Sequence, residues 1–485
     1  MLTFAVAPLQ WWSLAVACPA VLIWLWHGAR PREAAWLGFW FNVGTFAAGT
    51  YWLYVAIHTM GQAPVWMAMV LMAGLVGIMA AYHALLGYAV ARWLPEAGLV
   101  RWVIGVPAAW VFVEWWRGWF LTGFAWLSLG YTQTDTWMAG LAPVVGVYGI
   151  SALLLVCAGA LVAIVLGSKR ERLIAGVVFV VPWIAAASVQ NVEWTRESGK
   201  PVQIAIVQGA ISQDMKWLDE NRDTILQTYR RLTDTALGTP LIVWPEAALP
   251  LLANELVEYL QSLYREASAR GSGLVLGTVR ASDDLKDYYN SVLAMDQTVA
   301  WYDKNHLVPF SEVVPVPAFV RKYLQLMRLP YADFTRGGDN QPALHAGGLK
   351  LATTICYEDA YGSSQLAVLR EADALVNVTN DAWFGHGSAR HQHFQIARMR
   401  AIEANRFMLR AANDGISAVV GPRGEIVAEA PGFTPYVLKS SVTPRTGLPP
   451  YAYVGNWLVV GLASLGIAFA VWRNRRVPSR VAAFG

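Results

Sequence analysis

The chain has 485 residues, 56% hydrophobic and only 14% charged, with a formal net charge of +4. Soluble proteins carry about 25% charged residues, so this composition excludes a wholly soluble chain. The basic residues fall in short clusters beside apolar runs, which argues against a nucleic-acid partner. Mean hydropathy is +0.37, but unevenly spread. Residues 1 to about 190 and about 452–472 are apolar, and the stretch between them has ordinary soluble composition.

In chain order, apolar runs lie near 9–27, 35–57, 64–91, 101–120, 138–167 and 173–190, with a seventh near 453–472. Each is on the order of 20 residues, the length that crosses a bilayer. Many of the 24 Trp residues stand near the ends of these runs, where an indole suits the headgroup level; Trp115, Trp116 and Trp119 read most simply as such a belt.

The connections between runs alternate in charge. Arg30 and Arg32, then Arg92 and Arg101, then Lys169, Arg170 and Arg172, then the tail arginines from Arg473 onward are basic, and the intervening connections carry almost no cations. The positive-inside rule puts the basic connections in the cytoplasm. The soluble stretch is then expected on the outer side of the membrane, with the C-terminus cytoplasmic.

From about 200 to 440 the periodicity changes. Strands are expected at Val202 to Val207, Leu241 to Trp244, Gly273 to Thr278, Leu351 to Cys356 and Ala374 to Thr379. Hairpins are expected at 291–302 and at 416–429 around Gly421-Pro422-Arg423-Gly424. Helices are expected over 219–237, 253–270 and 391–405. Alternating strands and helices with hairpins suit one α/β domain built on a mixed sheet. The expected divisions are transmembrane helices over 1–195, a catalytic domain over 200–442, a last transmembrane helix over 450–475 and a basic cytoplasmic tail over 476–485.

Three cysteines are present. Cys18 and Cys157 fall in apolar runs, and Cys356 is alone in the soluble stretch, so no disulfide forms within that domain. Cys356 ends a β-favouring run and is followed by Tyr357, Glu358 and Asp359. Two other segments end strand-like runs upstream: Trp244-Pro245-Glu246, and Asp303-Lys304-Asn305-His306. A thiol with a pKa near 8.5 is mostly protonated at neutral pH. It becomes a nucleophile when a base such as Glu246 takes its proton, and a cation such as Lys304 then stabilises the oxyanion. Taken singly, each residue has a plainer reading: Cys356 as a small core residue, Glu246 as a solvated strand end, Lys304 as part of a polar turn.

Three blocks in this order, Leu241-Ile-Val-Trp-Pro-Glu246, Tyr302-Asp-Lys-Asn-His-Leu-Val-Pro-Phe310 and Ile355-Cys-Tyr-Glu358, resemble the signature of the nitrilase superfamily. Further blocks resemble the apolipoprotein N-acyltransferase family within it. These are Val207-Gln208-Gly209 with Lys216-Trp217, Asn380-Asp-Ala-Trp-Phe-Gly385, Gln392-His-Phe-Gln395, Ala397-Arg-Met-Arg400, Gly455-Asn-Trp457 and the apolar-region block Arg117-Gly-Trp119 with Leu121-Thr-Gly-Phe124.

The resemblance implies a polytopic α-helical membrane domain plus an extracytoplasmic α/β nitrilase-like α-β-β-α sandwich. It implies Glu246 as general base, Lys304 as the cation at the intermediate and Cys356 as nucleophile, with Glu312, Tyr357, Glu358 and Trp217 in supporting places. Trp217 would stand in a loop over the site. Ser311 stands where a glycine is common and Ala125 where a proline is common; neither removes a catalytic group.

The implied reaction is the last step of bacterial lipoprotein maturation. Cys356 takes an acyl chain from a membrane phospholipid, and the thioester passes it to the N-terminal amine of a diacylglyceryl-cysteine apolipoprotein. Water must be kept from that thioester. The apolar segment Val313 to Leu329, interrupted by Pro315 and Pro317, is the candidate roof; a surface loop packed on its own domain is the alternative. Two other functions fit parts of the pattern: a membrane-tethered amidase or nitrilase that passes the acyl group to water, and a silent lipoprotein-binding scaffold. The many helices argue against the first and the intact Glu246, Lys304 and Cys356 against the second.

Neither cofactor nor metal is expected. His386, His391 and His393 lack a carboxylate or thiol at ligand spacing, so capping or hydrogen bonding is the expected use. Asn377-Val378-Thr379 matches a glycosylation sequon but falls in an expected buried strand.

The charge alternation also puts Met1 outside with no preceding helix. A cleaved signal peptide would need a basic n-region and a shorter apolar run. The expectation is a further helix upstream, as the resembled family has. Sequencing the N-terminus of the native protein tests this: residues preceding Met1 are expected, and a native chain beginning at Met1 contradicts it.

Overall fold

The computed structural model describes residues 1–309, 311–313 and 334–476. The chain divides into two compact units, Met1–Val192 with the segment from Val454 onward, and Glu193–Tyr453.

The first unit is helical, and helix is found in all seven apolar runs. Among the described residues, four helices are long and apolar enough to cross a membrane: Val65–Trp93, Trp137–Leu166, Lys169–Val189 and Trp457–Arg476. The others are shorter or interrupted. Leu14–Leu25 spans 12 residues. Pro31–Gly49 opens on Arg32 and Glu33. The run near 101–120 joins a π-helical turn, Val100–Gly105, to an α-helix, Val106–Arg117, with Pro107 at the junction. Proline has no N–H to give and clashes with the preceding turn, so the winding changes there.

Of the charged residues buried in this unit, Arg117 and Glu114 hold irregular backbone. Arg117 donates to the carbonyls of Phe124 (3.1 Å) and Trp126 (2.7 Å) and to Ser128 Oγ (3.2 Å). Glu114 accepts from the Leu129 N–H at 3.3 Å and from Ser151 Oγ. Backbone groups outside a helix must find such partners where water is absent, which explains the polar residues in the Arg117–Phe124 block.

The second unit contains two six-stranded sheets. One has the spatial order Tyr436–Val442, Val202–Gln208, Leu241–Val243, Gly273–Ala281, Tyr288–Met295, Val299–Asp303. The other runs Ile426–Glu429, Ala418–Val420, Met408–Ala412, Ala374–Thr379, Leu349–Ile355, Leu344–Ala346. In each sheet a central trio is parallel and the flanking strands are antiparallel. The expected strands are present, and Leu344–Ala346, Met408–Ala412 and Tyr436–Val442 join them.

Alternate residues from both sheets, including Ile206, Val243, Leu351, Val376 and Leu409, form the core between the sheets. The outer face of the first sheet packs under helices Arg222–Asp234 and Val257–Ala269 through Tyr229, Trp244, Leu260 and Leu263. Helix Ala389–Ala404 covers the second sheet through Phe394 and Ala401. The layering is therefore α-β-β-α. Central strands buried on both faces account for near-continuous apolar runs such as Leu241-Ile242-Val243.

Candidate active site

Each chemistry-bearing segment follows a strand. Glu246 lies just beyond Leu241–Val243, Lys304 follows Val299–Asp303, Cys356 follows Leu349–Ile355 and Asn380 follows Ala374–Thr379. Sites in α/β sheets form beyond the carboxyl ends of parallel strands, and three of these four strands belong to the parallel trios.

Local packing fixes each segment. Trp244 is fully buried, stacks on Tyr229 (centroids 4.8 Å apart) and donates through Nε1 to Thr233 Oγ1 at 3.0 Å. The turn that follows passes over Gly277, where a Cβ would meet the Pro245 carbonyl oxygen at 2.2 Å, so that strand position tolerates only glycine. Before Lys304, Asp303 accepts a two-pronged contact from Arg280 (2.9 and 2.6 Å). The Lys304 N–H donates to the Asn290 carbonyl at 2.8 Å. Cys356 has φ +52°. A non-glycine residue in that left-handed region carries strain that neighbours must hold.

The side chains converge. Lys304 Nζ lies 2.8 Å from Glu312 Oε1 and 3.3 Å from Glu246 Oε1. It is 1% exposed. Asn290 Nδ2 donates to both carboxylates, at 2.8 Å to Glu246 and 2.9 Å to Glu312. The second Glu246 oxygen accepts the Asn380 N–H at 2.8 Å, and the second Glu312 oxygen accepts the Val308 N–H at 2.8 Å. Burial alone would lower the lysine pKa, but Glu312, Glu246 and Cys356 outweigh it and hold Lys304 well above the usual lysine range. Burial raises the Cys356 thiol well above the ordinary cysteine value, and the Glu246 charge adds to this. Lys304 and a hydrogen bond with Thr379 pull in the opposite direction. A carboxylate, an ammonium and a neutral thiol within electrostatic reach are the components of an acyl-transfer centre.

Glu358 ties two of these segments together. One of its oxygens accepts from the backbone N–H groups of Asn305 (2.7 Å) and His306 (3.0 Å). The other accepts from the Ile355 N–H (2.8 Å) and the Tyr302 hydroxyl (3.0 Å). Burial raises its pKa, against the opposing effect of these N–H groups and Lys304. Tyr357 lies edge-on to Tyr361, which donates its hydroxyl to that of Tyr357 at 2.8 Å. Tyr361 in turn stacks on His306 at 4.0 Å. Trp217 follows the short helix Gln213–Lys216 and is half exposed. The candidate roof, 313–329, lies outside the described residues apart from Val313.

Sequence reasoning missed Asn290 as a site residue, and it missed a buried charge cluster beside Cys356. His393 Nδ1 meets Asp381 at 2.8 Å, and its Nε2 meets Asp359 at 3.0 Å and the Cys356 carbonyl at 3.2 Å. Arg410 reaches Asp359 (3.3 Å), Asp381 (3.0 Å) and Asn377 Oδ1 (2.6 Å). Asn377 Nδ2 donates to the same Cys356 carbonyl at 3.2 Å. The sequon asparagine is thus fully buried. His386 stacks on Phe433 at 3.9 Å. The signal available for the cluster was a polar residue within each of two largely apolar strands, Asn377 and Arg410.

A nitrilase-type α-β-β-α sandwich whose strand ends gather a carboxylate, an ammonium and a thiol is the architecture of the carbon-nitrogen hydrolases. Comparison with known proteins agrees: the carbon-nitrogen hydrolase family model matches residues 203–446, and the model of the apolipoprotein N-acyltransferase N-terminal domain matches residues 1–160. The chain is 40% identical to the apolipoprotein N-acyltransferase of Methylococcus capsulatus, over 98% of this chain and 95% of that protein. It is 38% identical to that of Chromobacterium violaceum, over 97% and 92%. A solved carbon-nitrogen hydrolase from Helicobacter pylori is 16% identical over 59% of this chain and 97% of its own, with a TM-score of 0.35. The chain belongs to the apolipoprotein N-acyltransferase family.

The charge cluster makes a pH prediction. Burial and Arg410 lower the His393 pKa, but Asp359 and Asp381 outweigh them and raise it from 6.5 to about 9. Burial would raise Asp381, but His393 and Arg410 hold it at about 2 instead of 3.8. A raised folded-state pKa gives stability that is complete below pH 6.5 and lost as pH rises through about 9; the depressed aspartate's share is lost only as pH falls through about 2. The histidine share is on the order of 2 kcal/mol at neutral pH. In detergent, the melting temperature should fall between pH 6.5 and 9.5 more steeply for the wild type than for His393→Gln. Parallel curves contradict the assignment.

Proposed function

We propose that this protein transfers a fatty acyl chain from a membrane phospholipid to the N-terminal amine of a diacylglyceryl-cysteine apolipoprotein, through a thioester on Cys356. The observation that carries the reading is the convergence of Glu246, Lys304 and Cys356 in one buried site, in a chain of this family. In the first half, Glu246 takes the thiol proton as Sγ attacks the ester carbonyl. The Lys304 ammonium offsets the charge on the tetrahedral oxyanion. Glu246 then returns the proton to the departing glycerol oxygen, releasing a lysophospholipid.

In the second half, the neutral amine of the apolipoprotein attacks the thioester, and Glu246 accepts its proton. The amide forms, and the Cys356 sulfur leaves and takes back the proton that Glu246 holds, which regenerates both groups. Asn380 and Asn290 hold Glu246 in place, and Glu312 holds Lys304. Glu358 fixes the spacing between the Lys304 and Cys356 segments. The charge alternation of the apolar region and its four membrane-length helices support a multi-pass inner-membrane protein. In this reading the catalytic domain is periplasmic and the C-terminus cytoplasmic.

The test is a mass measurement. Purified full-length protein in phospholipid micelles is incubated with a diacylated lipopeptide. The lipopeptide should gain one acyl chain, and Cys356→Ser should lower that rate by at least about 10³-fold. Release of free fatty acid without lipopeptide acylation would show that water is the acceptor and overturn the reading.

A further inference from the structure

Lys216 ends the helix Gln213–Lys216 and is 1% exposed. Its ammonium stands 3.5 Å from the backbone carbonyl oxygen of Glu246 and 5.8 Å from the centroid of the half-exposed Trp217 ring. Among the described residues no carboxylate lies within 4.0 Å of it. The contrast with Lys304, clamped between two carboxylates, is sharp. An ammonium taken out of water without a carboxylate beside it costs several kcal/mol, so its position asks for an anion.

The helix that carries Lys216 is fastened to the catalytic residues. Gln213 Oε1 accepts from Asn380 Nδ2 at 2.8 Å, and the Asn380 N–H holds Glu246 Oε2 at 2.8 Å. Lys216 therefore stands at the edge of the site on the Glu246 side. Burial lowers its pKa to about 8, with Glu246 acting against the shift; it remains mostly charged at neutral pH. Of its three N–H donors, the Glu246 carbonyl engages one, weakly.

The two substrates differ in a way this ammonium can read. A phospholipid carries a phosphate joined to the scissile ester through the glycerol carbons. A diacylglyceryl-cysteine peptide has no phosphate there and brings an amine instead. We propose that Lys216 binds the phosphate of the acyl-donor phospholipid and so favours the donor in the first half-reaction; this rests on the phospholipid reading above. Trp217 forms the apolar wall beside the bound headgroup. Once the lysophospholipid leaves, its phosphate leaves with it, and the acceptor offers Lys216 nothing in exchange.

The experiment follows acylation of Cys356 by intact mass in full-length protein, without acceptor. Two donors are compared in the same neutral detergent: dipalmitoyl phosphatidylglycerol, and p-nitrophenyl palmitate, which has no phosphate. A hydrogen bond to a charged group contributes a factor of about 10 to 100. Lys216→Met should therefore lower the ratio of phosphatidylglycerol rate to palmitate-ester rate by at least about tenfold, and Lys216→Arg should restore most of it. Lys216→Gln supplies the same readout if the methionine variant does not fold. Equal losses with both donors would assign Lys216 to tuning Glu246 and overturn the proposal, as would an unchanged ratio. A wild type acylated by the palmitate ester but never by phosphatidylglycerol would overturn the phospholipid reading and this inference together. A wild type acylated by both, with an undiminished ratio in Lys216→Met, overturns this inference alone.

Discussion

A single buried ammonium constrains the architecture around it. Lys304 has given up its water for Glu312 and Glu246, and removing one partner of such a buried pair typically costs about 3–5 kcal/mol. Two carboxylates around one ammonium must themselves be held apart and oriented. Asn290 does this with one amide nitrogen, and the N–H groups of Asn380 and Val308 occupy the outer oxygens. These partners come from both sheets and from the turn after Lys304. The strand ends of the two sheets are therefore as much a part of the site as the reacting groups.

The second constraint is the thiol. Cys356 sits in a left-handed backbone conformation at the end of a buried strand. Its carbonyl accepts from His393 and Asn377, and the His393–Asp381–Arg410–Asp359 cluster fixes both donors. Glu358 restrains the same turn from the Lys304 side. Glu246 disfavours the thiolate, while Lys304 favours it. The resting thiol is then protonated, and charge moves onto sulfur only as the ester carbonyl arrives to take it.

Glu246, Lys304 and Cys356, the proposed reacting trio, could be picked out because each follows a short apolar run that ends abruptly in polar residues, and because the blocks around them are specific. The layers were legible for a related reason: a central strand such as Leu241–Val243 is buried on both faces and reads as an unbroken apolar run. Met408–Ala412 escaped notice because Arg410 interrupts the pattern, and Tyr436–Val442 because Lys439, Ser440 and Ser441 dilute it. Arg410 is tolerated there only because Asp359 and Asp381, far apart in sequence, come together around it. Asn290 and His393 were invisible as functional neighbours for the same reason. The expected use of the histidines in hydrogen bonding describes His393, whose two ring nitrogens both face aspartates.

The coupling of Glu246, Lys304 and Cys356 is tested most directly by the ionisation of the thiol. Iodoacetamide labelling of Cys356, followed by peptide mass across a pH series in the full-length protein, reads it site by site. The thiol should react slowly at pH 7, with its apparent pKa lowered in Glu246→Gln and raised further in Lys304→Met. A thiol already ionised at pH 7 and indifferent to both substitutions would contradict the account.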